Sequence, residues 1–353
     1  MNNKRLEQAV LPIASVVLAL LVGAVLILLQ GKSPLAAVEA IFHGSLDGRE
    51  AIGRTLEKAT PLILSGVAVI VGLKAGLFNI GAQGQLLLGA IMAGYVGYRF
   101  DLPTVFHIPA GLLVGMIFGA VPAVVAGLLK VTRSVHEVIT TIMLNTVIVN
   151  LTDWLSGGPW RQPGQAISRT PAILPSARIG HVFDMPLGFP IAVIAALGVW
   201  FLVARTTTGF TMNTLGANRH AATYAGISVT RTTVIAMGVS GALAGLGGAI
   251  ETLGVVHRFE PGFNNSLGFD GITIALLARV NPRAAIPSAL LIGALRASNT
   301  ALQADARLAP EIIDVILGVI LLFVAAPVIV RTILRRRAES GDQVQLTAGW
   351  GGA

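Results

Sequence analysis

Catalysis would need a nucleophile beside a base, paired carboxylates, or metal ligands at workable spacing. The 353 residues include six histidines and no cysteine. The histidines are scattered, with no His-x-x-x-His or His-Glu-x-x-His pair, and no Gly-x-Ser-x-Gly elbow occurs. Gly31-Lys32-Ser33 ends like a phosphate-binding loop, but the glycine required five residues before Gly31 is Leu26. Glu137, Glu251, Asp270, Glu311 and Asp314 lie in or near apolar runs. Each falls within about two turns of a predicted span end, where water or headgroups can solvate it. No catalytic residue, metal site or cofactor is expected, and without cysteine there is no disulfide or thiolate ligand.

Two segments are unusually polar for their apolar surroundings. Lys74-Ala-Gly-Leu-Phe-Asn-Ile-Gly-Ala-Gln-Gly-Gln85 carries three glycines with Asn79, Gln83 and Gln85. Irregular backbone at membrane depth is tolerated only when buried in protein or lining a cavity. The segment reads either as a solute-pathway element, with Phe78, Asn79 and Gln83 as contacts, or as a tight turn with capping side chains. In His136-Glu-Val-Ile-Thr-Thr-Ile-Met-Leu-Asn145, Glu137, Thr141, Asn145 and Thr152 share one helical sector. Asn145 sits near mid-span. A midplane amide either marks a solute path or makes a helix–helix hydrogen bond that holds the bundle. Phe269 and Asp270 complete the pathway candidates.

The elements that position these residues are membrane helices. Hydrophobic residues make up 54% of the chain and charged residues 12%, with mean hydropathy +0.77. A soluble domain carries about twice that charged fraction. Apolar runs of about 20 residues match a hydrocarbon core of roughly 30 Å. About ten spans are read, at 9–30, 56–73, 81–98, 108–129, 136–155, 188–204, 232–254, 266–278, 285–301 and 311–330; the short 266–278 is the weakest. The first run is longer than a signal-peptide core and lacks a small-residue cleavage site, so it is expected to remain as a spanning helix.

The net charge is +8, from 25 basic and 17 acidic residues. The bases fall between apolar runs, with Lys4, Arg5, Lys74, Lys130, Arg133, Arg205, Arg219, Arg231, Arg279, Arg283, Arg331, Arg335, Arg336 and Arg337 on one side. That is the positive-inside pattern, with lipid headgroups as counter-charge, and it places both termini in the cytoplasm. No basic face points to nucleic acid. Glycines at 111, 115 and 119, and at 241 and 245, fall four apart and predict close helix packing.

Residues 31–54 and 156–187 form long external loops. The second, with Gly157-Gly158-Pro159-Trp160 and Pro163, Pro171, Pro175 and Pro186, is incompatible with a regular helix. It either packs over the outer mouth or docks an external partner. The longest internal loop, 205–231, holds Gly216-Ala-Asn-Arg-His-Ala-Ala-Thr-Tyr-Ala-Gly226. Asn218 is a good N-cap, Ala221, Ala222 and Ala225 favour helix, and Gly226 is a natural stop. A short helix over 218–225 outside the membrane suits a docking element, the alternative being an ordinary connection.

At these residues the chain resembles the permease subunits of bacterial ABC importers of the branched-chain amino acid, ribose and nucleoside class, most of all the nucleoside systems. The matching stretches are 76–85, 136–145, 216–227, Gly268-Phe-Asp-Gly-Ile-Thr-Ile-Ala-Leu-Leu277 and Pro310-Glu-Ile-Ile-Asp314, in order along nearly the whole chain. The resemblance implies an all-α polytopic transmembrane bundle of the type II-like importer kind, a single permease domain over 1–353. It further implies a non-catalytic subunit in the bacterial cytoplasmic (inner) membrane that translocates nucleosides. Its partners would be a cytoplasmic ABC ATPase, a second permease, identical or homologous, and an external substrate-binding lipoprotein. The helix at 218–225 would be the coupling helix, with Gly216, Asn218, Arg219, Ala221, Ala222, Tyr224 and Gly226 meeting the ATPase. Three departures stand out: Gln83 where the family often has Glu, the weakly basic Thr211-Met-Asn-Thr-Leu215, and Ala278-Arg-Val-Asn-Pro282 in place of a glycine-rich turn. The same machine for a simple sugar or branched-chain amino acid is the nearest alternative. An ion-coupled secondary transporter is the alternative of another class.

Overall fold

The structure is a computed structural model that describes residues 2–262, 266–309 and 311–325, with side chains from residue 13 onward. The basic side chains of Lys4 and Arg5, and Pro310, Arg331, Arg335, Arg336 and Arg337, lie outside the described residues.

Apolar runs become helices because every peptide group in a low-dielectric setting must be satisfied within the chain. The order is α1 (Asn2–Leu29), α2 (Pro34–Ser45), α3 (Gly48–Lys74), α4 (Ala82–Arg99), α5 (Thr104–Arg133) and α6 (Glu137–Gly157). It continues with α7 (Gly188–Arg205), α8 (Thr207–Ala217), α9 (Arg219–Tyr224), α10 (Val229–Glu251), α11 (Leu267–Leu277), α12 (Pro282–Ala297), α13 (Asn299–Ala304) and α14 (Glu311–Ala325). A wide π turn (Thr252–Val256) extends α10. Among the described residues five helices are long and apolar enough to cross a membrane: α3, α5, α6, α7 and α10 with its π turn. The fold is thus a helical membrane bundle.

Three expectations need correction. The 31–54 loop contains a helix, α2, started by Pro34 in its first turn and capped where the Ser33 side chain accepts from the Ala36 N–H. The run 266–278 yields only α11, eleven residues long. At about 1.5 Å per residue that spans roughly half of a bilayer core. The run 285–301 is broken at Ser298 into α12 and α13.

At the centre of the bundle α3, with 83% of its most apolar window buried, packs on α7, α10, α11 and α12, and α10 in turn packs on α4 and α5. The glycine faces predicted on α5 and α10 meet each other there. A Cβ added to Gly119 would stand 2.5 Å from the Gly245 Cα, and one on Gly241 would meet Ala123. Backbone contact of this kind supplies packing where lipid removes the hydrophobic drive between helices.

Beyond the end of α6 at Gly157, the 156–187 loop is non-helical apart from one 3₁₀ turn (Pro175–Ala177). It is pinned by Thr170 and Ile173 N–H donating to the Phe259 and His257 carbonyls, and by Ile179 N–H donating to Leu253. It ends in a small antiparallel hairpin, β1 (His181–Val182) and β2 (Met185–Pro186), whose turn residues Phe183 and Asp184 have φ of 50° and 65°. His181 Nε2 lies 2.8 Å from Glu57 Oε1, which fastens the hairpin to the N-terminal half of α3.

Candidate functional site

The polar segment between α3 and α4 is extended and buried, and it runs beside α10 and α6. Gly76 adopts φ +71° and ends α3, with the Leu77 N–H donating to the Gly72 carbonyl. Asn79, fully buried, uses both ends of its amide. Its Nδ2 donates to Gln85 Oε1 (2.8 Å) and Ser240 Oγ (2.9 Å), and its Oδ1 accepts from Gly81 N–H and Gln85 Nε2, each at 3.0 Å. Ser240 in turn donates to the Ala68 carbonyl of α3 at 2.6 Å. Asn145 on α6 donates to the Ile80 carbonyl and accepts from the Gly84 N–H, both at 2.9 Å. Gln83 accepts from the Gly268 N–H at 2.7 Å, joining the start of α11 to the start of α4.

These amides therefore supply the hydrogen bonds that an irregular buried backbone would otherwise lack. Asn79, Gln83 and Asn145 brace the backbone, and Phe78, half-buried, is held by its N–H donating to Glu137 Oε1 (3.4 Å). Glu137 is ion-paired with Lys130 from the end of α5 and lies 3.7 Å from His136 Nδ1. The predicted sector of Glu137, Thr141, Asn145 and Thr152 is the buried face of α6, joined by Thr140, Ile148 and Ser156.

Phe269 and Asp270 lie in the first turn of α11. Phe269 is 43% exposed, whereas the Asp270 side chain is only 12% exposed and pairs with Arg296 of α12 at 2.5 Å. The same guanidinium donates to Ser266 Oγ (2.8 Å) and reaches Asp314 Oδ1 of α14 at 3.5 Å. One arginine thus joins three helices, an arrangement that no residue spacing reveals.

The internal loop holds two helices. Helix α8 went unpredicted because its threonine-rich sequence has low helix propensity; Thr206 caps it by accepting from the Gly209 N–H at 3.1 Å. Helix α9 begins where Asn218 accepts from the Ala221 N–H at 3.0 Å, and Gly226 follows it at φ +75°. Ala222 is fully buried and anchors the helix, while Arg219, His220, Ala221, Thr223 and Tyr224 face solvent, Tyr224 at 94% exposure. Beneath α9 lies a cleft of about 320 Å³ whose walls include Gly76, Lys130, Gly216, Asn218, Arg219 and Thr233. Gly216 touches the braced segment directly: a Cβ on it would lie 2.8 Å from Gly76 N. The end of α8, just before α9, thus lies in direct backbone contact with the turn that follows α3.

Among the described residues no group of three histidine or acidic side chains could hold a metal ion.

Comparison with known proteins bears on what this arrangement does. Residues 51–325 match the family model described as the branched-chain amino acid transport system / permease component. The chain is 33% identical over 344 residues to the guanosine ABC transporter permease protein NupP of Bacillus subtilis (strain 168), covering 96% of this chain and 99% of the relative. It is 33% identical over 347 residues to the nucleoside ABC transporter permease protein NupB of Lactococcus lactis subsp. cremoris (strain MG1363), covering 95% of each. It is 31% identical over 325 residues to the glucose ABC transporter permease protein TsgB13 of Haloferax volcanii, covering 88% and 86%.

Proposed function

The chain belongs to the branched-chain amino acid transport system / permease component family, and on that premise we propose that it is the membrane-spanning permease subunit of an ATP-driven nucleoside importer. It is a non-catalytic subunit: it supplies the path, and ATP hydrolysis takes place on a separate cytoplasmic ABC ATPase. Nearly full-length similarity to two nucleoside permeases supports the substrate class.

The observation that carries the ATP-driven reading is α9, a capped helix anchored by one buried alanine with its remaining face open to solvent. In the proposed assembly Gly216, Asn218, Arg219, Ala221, Ala222, Tyr224 and Gly226 form the coupling element. Movement of α9 by the ATPase passes through Gly216 to the backbone at Gly76, and so to the segment holding Phe78. Asn79, Gln83 and Asn145 act on the solute path by fixing that segment. Phe78, Phe269 and Asp270 border it.

Each permease subunit has about ten spans with both termini in the cytoplasm of a bacterial cell, an arrangement supported by the positive-inside pattern. Two permeases, identical or homologous, enclose the path. The external loop 156–187, with Phe183 86% exposed at its hairpin tip, receives a solute-binding lipoprotein.

The chain has no cysteine, so Ala221→Cys introduces a single thiol on the exposed face of α9. Cross-linking of that thiol to a co-purified ATPase is the expected result. An importer that purifies with its ATPase but never cross-links at 221, 219 or 224 contradicts the coupling role. A second substrate reading, a simple sugar in the same machine, is favoured by the glucose permease relative. It predicts glucose uptake in place of nucleoside uptake.

A further inference from the structure

Helix α6 carries two polar stripes on opposite sides. One is the buried stripe of Glu137, Thr141, Asn145, Thr152 and Ser156, which braces the α3–α4 segment. The other is exposed. At about 100° per residue, Thr146 and Asn150, with the half-buried Asp153, fall together at the centre of a face that also carries Ile139, Ile142 and Met143. The exposed face is apolar in its first half; in its second, Thr146 and Asn150 sit among the exposed Val147, Leu151 and Trp154. Only 28% of the helix's most apolar window is buried, so most of it meets something outside this chain.

Hydrocarbon is a poor environment for the Asn150 amide. Asn150 lies about 20 Å along a helix of about 31 Å, at roughly 1.5 Å per residue, well inside a hydrocarbon core of about 30 Å. Its Nδ2 donates to the Thr146 carbonyl one turn back at 2.8 Å. That leaves one amide hydrogen and Oδ1 without a partner among the described residues. An unpaired amide facing lipid is strongly disfavoured, whereas one facing a water-filled path is solvated. Asn145 is different: its side chain is buried, and its Nδ2 and Oδ1 are both engaged by backbone groups.

We propose that Asn150 is a specificity-determining residue that faces the solute path and hydrogen-bonds the base edge of the passing nucleoside. This rests on the nucleoside-permease reading above. The free donor–acceptor edge of an asparagine amide matches the adjacent donor and acceptor that a nucleobase presents. Thr146, one turn deeper, offers a hydroxyl to the same path. Met143, Ile142 and Ile139 continue the face as an apolar constriction toward the cytoplasmic end.

The test uses the importer with its ATPase and external binding protein, reconstituted in vesicles. Asn150→Cys in the cysteine-free chain is treated with a water-soluble, membrane-impermeant methanethiosulfonate reagent, with and without a saturating nucleoside. The expected result is rapid labelling that the nucleoside slows at least threefold, with Ile194→Cys, an exposed apolar position on α7, labelled slowly and without protection. Asn150→Leu is expected to raise the KM for the preferred nucleoside about tenfold, one hydrogen-bonded amide being removed, and to change the order of preference among purine and pyrimidine nucleosides. Asn150→Gln is expected to restore part of the loss. Labelling of Asn150→Cys only by a lipid-soluble reagent would overturn the proposal. So would an unchanged KM and preference order in Asn150→Leu. Failure of the nucleoside reading registers separately, since the unaltered importer would then move no nucleoside at all.

Discussion

Gly216 and Gly76 meet backbone to backbone: a Cβ added to Gly76 would stand 3.0 Å from the Gly216 Cα. The loop helices therefore rest on the turn that leads into the braced segment, and any side chain between them must push the two apart. Gly216→Ala would bring a methyl against backbone atoms of residues 74–76, which have no rotamer to yield. The expected result is a loss of about 1–3 kcal/mol of stability and a fall in solute moved per ATP hydrolysed. Thermal unfolding and the transport-to-hydrolysis ratio measure the two effects.

Asn145 holds the Ile80 carbonyl and the Gly84 N–H through one buried amide. Asn145→Leu fits the volume but leaves both backbone groups unpaired. The expected loss is about 1–3 kcal/mol for each orphaned group, read as a lower midpoint of unfolding in detergent. Asn79→Leu is expected to act in the same direction. If Asn145→Leu unfolds as the unaltered chain does, the bracing role is wrong.

The Arg296–Asp270 pair is mostly enclosed, at 15% and 12% side-chain exposure, while Asp314 is 64% exposed. Removing the arginine alone strands a buried carboxylate, so Arg296→Met is expected to lose about 3–5 kcal/mol. The double variant Arg296→Met with Asp270→Leu should recover much of that. Asp314→Asn should lose less than about 1 kcal/mol, as an exposed partner does. A double-mutant cycle on unfolding midpoints separates the three.

His43 on α2 takes a hydrogen bond with Asp47 at 2.7 Å, and this bond above all raises its pKa over the usual histidine value. The folded state therefore holds the proton more tightly than the unfolded one. Any stabilisation is present below the ordinary value of 6.5 and is lost as pH rises through the raised folded value. Asp47→Asn is expected to bring the titration of His43 back down, as followed by the histidine ring resonances in selectively labelled protein. An unchanged midpoint would remove Asp47 as the cause.

Much of this was legible in residue order because membrane helices and caps are local. Asn218 and Gly226 bracket α9 by short-range hydrogen bonding and φ preference, which the sequence displays directly. The glycine spacings at 115 and 119 and at 241 and 245 marked helix faces, and those faces do meet. What was not legible depends on partners distant in sequence. Asn145 and Asn150 are both mid-helix amides, and only the fold shows that the first faces Gly84 and the second faces outward. Arg296 carries no local sign that Asp270 and Asp314 converge on it. Helix α8 was missed because a threonine-rich segment has weak intrinsic preference and is held by tertiary contact: Gly209 lies against the Val203 Cα, where a Cβ would stand at 2.6 Å.

The central claim is that this chain gives nucleosides an ATP-powered route across a membrane. Its most direct test is uptake of radiolabelled guanosine into vesicles holding the permease, its ATPase and its external binding protein, with ion gradients collapsed by ionophores. The account predicts accumulation that requires ATP on the ATPase side and is abolished when α9 is locked to the ATPase through Ala221→Cys. Uptake that continues without ATP and vanishes with the ion gradient would contradict it.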